Sequence, residues 1–97
     1  MKVVITESAS DDIADASVFY ESQQTGLGEY FETSLLSDIR SLAIFGGIHE
    51  SRFELYFRAL AKRFPYSIYY RVENDTAFVY AVSDDRRDPT WISDRLH

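Results

Sequence analysis

Tyr66-Ser67-Ile68-Tyr69-Tyr70-Arg71-Val72, then Glu73-Asn74-Asp75-Thr76, then Ala77-Phe78-Val79-Tyr80-Ala81-Val82-Ser83 is the stretch that decides the fold. Two β-branched and aromatic runs flank a short polar segment rich in turn formers, so they are expected to pair as an antiparallel hairpin. In the first run Tyr66, Ile68, Tyr70 and Val72 share one face, while Ser67, Tyr69 and Arg71 share the other. Phe64-Pro65 removes a ladder donor just ahead of it, which suits a strand start. Upstream, residues 55–62 read as a further strand, and residues 48–54, with His49 and Arg52, read as polar and irregular.

Further back the period changes from two to that of a helix. Ala9, Ile13, Ala16 and Tyr20 form one apolar stripe. Ser8 is the expected cap, Asp11 stands in the capping-box position, and Asp12, Asp15 and Glu21 are expected to face solvent. Gly26 suits a left-handed cap at the end of that helix. Leu27, Phe31, Leu35, Ile39 and Leu42 mark a second helix, from Leu27 or Gly28 to Phe45, which Gly46-Gly47 ends. Residues 2–6 read as a first strand. Asp88 caps a short terminal helix or turn with Pro89 at its first position. The predicted class is α+β, in the order β-α-α-β-β-β, with an antiparallel helical hairpin on a largely antiparallel sheet and a short C-terminal helix or turn.

Ninety-seven residues, 45% of them apolar and 15% aromatic, are expected to form a single globular domain over residues 1–97. No apolar run reaches the roughly 18–20 residues of a membrane helix, and the N-terminus does not read as a signal peptide, so a cytoplasmic location is expected. Without cysteine there is no disulfide, thiolate nucleophile or cysteine-based zinc site. No metal or cofactor is expected: His49 and His97 are not at ligand spacing, and neither glycine pair makes a phosphate loop.

Charge is unevenly spread within the net of -6. Residues 1–54 hold ten acids against three bases, and residues 55–97 hold six acids against seven bases. Arg58, Lys62, Arg63, Arg71, Arg86, Arg87 and Arg95 fall on the strands and the tail, with Arg58 and Lys62 co-facial. Interleaved with Tyr66 and Tyr69, such a face suits a phosphate or an acidic protein helix; arginines on a solvent face are also ordinary. An acidic chain is not expected to bind nucleic acid tightly by itself.

Lys62 to Val72, followed by Arg86-Arg87-Asp88-Pro89 and Trp91, resembles the ParE branch of the ParE/RelE toxins. The N-terminal half agrees, with an alanine- and acid-rich first helix ending near a tyrosine, then Gly26-Leu27-Gly28 and Phe31. The resemblance implies a type II toxin–antitoxin system in which a ParD-like antitoxin wraps the helices and sheet. ParE members poison DNA gyrase, whereas RelE members cut messenger RNA on the ribosome, and a shared fold does not choose between them.

A ribonuclease needs a base, an acid and cations for the phosphate. Here no tyrosine follows Tyr80, and Asp84 stands where many relatives carry histidine. Asp84-Asp85 also places two negative charges where an RNA backbone would approach. The expectation is a gyrase-directed toxin that binds rather than catalyses. The alternatives are a RelE-like ribosome-dependent mRNA endonuclease, a weakly toxic or inactive antitoxin-binding module, or an acidic DNA mimic. The expected target surface is Arg58, Arg63, Arg71, Arg86 and Arg87, with Tyr66 and Trp91 as structural aromatics. The expected antitoxin groove involves Val18, Phe19, Phe57 and Phe78.

Overall fold

The computed structural model describes residues 1–53 and 55–96. Its elements are β1 (Lys2–Ile5), α1 (Glu7–Gln23), α2 (Leu27–Arg40), α3 (Leu42–Phe45), β2 (Glu50–Arg52), β3 (Tyr56–Leu60), β4 (Tyr66–Glu73), β5 (Thr76–Asp84) and α4 (Pro89–Leu96). One sheet runs β1-β5-β4-β3-β2, antiparallel except for the parallel pair β1 and β5. The expected α+β order therefore holds. Asn74 and Asp75 both take positive φ, at 51° and 56°, the backbone of a two-residue hairpin turn matched to strand twist.

Both helical stripes face the sheet. Ala9, Ile13, Ala16, Phe31, Leu35, Ile39 and Leu42 are buried against Ile68, Tyr70 and Val79. The α1–α2 joint is close. A Cβ on Gly28 would lie 2.5 Å from the Ser17 carbonyl oxygen, and the Ser17 hydroxyl donates to the Gly28 carbonyl at 3.1 Å. Gly28→Ala is expected to cost about 2 kcal/mol, because the obstacle is helix backbone rather than a yielding side chain; thermal melts of the two proteins measure it.

Several local expectations are corrected. Thr6, not Ser8, caps α1, accepting from the Ala9 N–H at 3.3 Å while its hydroxyl donates to the Val79 carbonyl. Thr6 prevails because it alone sits where the strand backbone is still extended. Gly26 does adopt a left-handed φ of 89°, but it caps the start of α2, and α1 ends at Gln23 with Gln24 as its cap. Glu21 is not merely solvated: its carboxylate accepts from the Gly26 and Gly28 N–H groups at 2.9 and 3.0 Å, filling orphan donors at the start of α2. The second helix does not run unbroken to Phe45. It ends at Arg40, and the Ser41 hydroxyl donates to the Asp38 carbonyl at 2.6 Å, drawing off a helix acceptor. Part of the segment expected to be irregular forms β2, because Glu50, Ser51 and Arg52 find pairing partners on β3; Glu54, the last residue of that segment, lies outside the described residues.

The second face of the sheet is not bare. Ile92 on α4 packs with Tyr69 and Ala81, with Phe53, Trp91 and Leu96 around them. Asp88 opens α4 as expected, accepting from the Thr90 N–H at 2.9 Å. His97 lies outside the described residues.

Candidate functional site

Asp12 organises the C-terminal region. Its Oδ2 accepts from the Val82 N–H at 2.9 Å, and both carboxylate oxygens accept from Arg95, each at 2.9 Å. The Asp12 side chain is 12% exposed and Arg95 23%. The expectation that Asp12 faces solvent is therefore corrected: one carboxylate ties α1 to both β5 and α4. Arg87 and Arg95 both lie over the Trp91 ring, at 4.1 and 5.4 Å from its centroid, so Trp91 meets two cations. Sequence reading missed this latch, since nothing near Asp12 announces a partner 83 residues away.

The five arginines of the expected target surface fall in three places. Arg58 and Arg71 lie on the sheet face opposite the helical hairpin. Arg63 is exposed in the turn between β3 and β4, and Arg86 and Arg87 are exposed just past β5. Lys62 lies beyond the end of β3, so its expected co-facial pairing with Arg58 is not formed.

Most of these charges are already engaged. Arg58 donates to the Ser67 hydroxyl at 2.8 Å and to Asp85 at 3.3 Å, and the Ser67 hydroxyl in turn donates to Asp85. Arg71 pairs with Glu73 at 2.6 Å. Arg86 grips Asp84 with Nε at 2.9 Å and a second guanidinium nitrogen at 2.7 Å, and its backbone N–H adds a third bond at 2.8 Å. Arg63 and Arg87 carry no ion pair among the described residues.

The titratable groups beside these cations are poorly matched to proton transfer at neutral pH. Hydrogen bonding from Arg86 holds Asp84 below the usual aspartate range, more than offsetting its partial burial. Burial, then the neighbouring Tyr20 and Asp84, pushes the Tyr66 hydroxyl far upward. His49 sits on the hairpin side, where its Nδ1 meets the Tyr70 hydroxyl that also accepts from the Gly47 N–H at 2.9 Å. Asp84 is expected to titrate below the ordinary aspartate range by carboxyl carbon-13 NMR. Its pairing with Arg86 is thus intact above the unfolded aspartate value and is lost as pH falls through the lower folded value. In Arg86→Ala its pKa should rise toward the ordinary range.

The residues expected to meet an antitoxin do not share one surface. Val18 and Phe19 are exposed on α1, at 71% and 52%. Phe57 stacks on Tyr70 at 5.4 Å on the hairpin side. Phe78 pairs in register with Arg71 on the opposite face. Phe19 instead lines a cleft of about 330 Å³ between α1, the end of β5 and α4, with Asp15, Tyr66, Asp84, Arg87 and Trp91.

A chain of the chromosomal ParDE toxin–antitoxin system from P. aeruginosa has this architecture, with a TM-score of 0.72 over 87% of this chain and 95% of that one. The two share a fold. At 17% sequence identity the likeness extends to the fold alone. No family model matches the sequence, and a search of curated proteins finds no match. No helix among the described residues is long and apolar enough to cross a membrane.

Proposed function

We propose that this chain is a ParE-like, single-domain, cytoplasmic toxin of a type II toxin–antitoxin pair. It is neutralised by a ParD-like antitoxin and acts on DNA gyrase by binding rather than by cutting RNA. The ParDE-like fold supports the toxin–antitoxin setting, together with Lys62-Arg63-Phe64-Pro65-Tyr66 and Arg86-Arg87-Asp88-Pro89 in the sequence.

The observation that carries the choice of binding over catalysis is Asp84. It stands at the head of the basic tail, held ionised by three donors from Arg86. An ionised aspartate has no proton to give a leaving oxygen, and its low basicity makes it a weak acceptor for a ribose hydroxyl at neutral pH. Tyr66 errs in the other direction: its proton is held too tightly for it to act as a base. Arg63 and Arg87, the exposed arginines of the expected target surface with no ion pair among the described residues, instead offer positive charge to an acidic protein partner.

The experiment is a translation extract primed with a defined messenger. The purified chain should leave ribosome-bound messenger uncut at concentrations equal to the ribosomes. Cleavage at defined codons, abolished by Arg86→Ala, would replace this reading with the ribonuclease one.

A further inference from the structure

β1 pairs with β5 only from Thr76 to Val79, because the chain leaves the sheet at Thr6 to begin α1. The remainder of β5, to Asp84, has no strand on that side among the described residues. The Val82 N–H points away from β4 and is met by Asp12. In an antiparallel pair the carbonyl of a residue points the same way as its N–H, and alternate residues repeat the direction. Val82 C=O and Asp84 N–H are therefore an outward-facing acceptor and donor. The Tyr66 N–H and C=O are spent on Phe64 and Ala61, which is consistent with Asp84, opposite Tyr66, not being engaged by β4.

This open edge forms the floor of the cleft between α1 and α4. The cleft walls are apolar where Ala16, Phe19 and Trp91 face it. Its α1 bank carries Asp15, and its opposite bank carries Arg86, which is paired with Asp84, and Arg87, which lies over the Trp91 ring. Asp15 lies one turn before Phe19 and has no ion pair among the described residues, and α1 carries five acids and no base.

We propose that the cleft is a docking slot for an extended basic–apolar peptide segment, which pairs with the β5 edge at Val82 and Asp84 in line with β1, sets an apolar side chain against Phe19 and a base beside Asp15. A helix would leave the two edge groups unanswered, whereas an extended backbone supplies a complementary acceptor and donor. The proposal rests on the toxin reading only for the owner of the segment, a stretch of the neutralising partner.

The probe is a blocked hexapeptide of alternating lysine and valine, titrated to millimolar concentration into the full-length, nitrogen-15-labelled chain. The Val82 and Asp84 amides should shift, and Asp84 should exchange more slowly, while the edges at Lys2–Ile5 and Glu50–Arg52 stay unchanged. Phe19→Ser should weaken binding about tenfold through lost apolar contact, and Asp15→Asn about threefold through lost charge. Ile44→Ser, an 80% exposed position outside the residues lining the cleft, should bind as the parent does. Shifts confined to another edge, no shift at Val82 and Asp84, or equal affinity for a glutamate–valine hexapeptide would overturn the proposal. So would protection of these amides that rises with protein concentration without peptide, since that assigns the edge to a second copy. The probe contains no antitoxin sequence, so its failure rejects the slot without touching the toxin reading, and a failure to affect gyrase leaves the slot intact.

Discussion

Asp12→Ala is expected to cost about 3 kcal/mol, lowering the melting temperature by on the order of 15 °C in a chain of this size. The substitution leaves Arg95 with no carboxylate in a site where it is only 23% exposed, and it strips the Val82 N–H of its acceptor. Removing one partner from a shielded ion pair costs more than the pair is worth, because the survivor keeps its desolvation penalty. The loss should be visible locally. α4 is tied to α1 through Arg95, and Arg95 lies over the Trp91 ring, so the near-ultraviolet signal of that sole tryptophan should weaken before the far-ultraviolet signal does. Asp12→Asn, which keeps an oxygen for the Val82 N–H, should lose only about 1 kcal/mol. Equal stability of the alanine variant and the parent would show that the latch is not formed in solution.

Phe31→Ala is expected to cost about 4 kcal/mol. Phe31 is fully buried, and its ring lies 5.0 Å from Tyr20, 4.9 Å from Phe64 and 5.0 Å from Tyr66. The alanine leaves a cavity where α1, α2 and the β3–β4 turn meet, and Tyr20 and Phe64, each only partly buried, cannot close over it without losing their own contacts. A small domain has about 5–10 kcal/mol to lose, so the urea midpoint should fall by half or more with little change in slope. Phe31→Leu, which keeps most of the volume, should cost about 1.5 kcal/mol. A loss for the alanine variant below about 1 kcal/mol would show that this aromatic cluster is loosely packed.

The hairpin and both helical stripes were legible because they are local and periodic: Tyr66, Ile68 and Tyr70 announce one face, and Phe31, Leu35 and Ile39 announce another. β2 was not legible, since Glu50-Ser51-Arg52 carries no strand pattern and is extended only because β3 lies beside it. The acids of α1 show the same limit. Asp12, Asp15 and Glu21 look alike in sequence, yet one latches α4, one stands exposed and one caps α2. What separates them is the element that happens to pack opposite, which spacing along one helix does not encode. The basic tail was legible as a cationic run, but its state was not. Arg86 spends its charge on Asp84, and Arg87 rests on Trp91, leaving Arg87 and Arg63 as the cations without an ion pair in that expected surface.

The central claim is the proposal that this chain disables gyrase by binding, through the cations Arg63 and Arg87. The most direct measurement is gyrase supercoiling of relaxed plasmid in the presence of the purified, antitoxin-free chain. Supercoiling should fall as the chain approaches the gyrase concentration, and the Arg63→Glu/Arg87→Glu double variant, folded by circular dichroism, should restore it. Full supercoiling in a large excess of the folded parent chain would contradict the account.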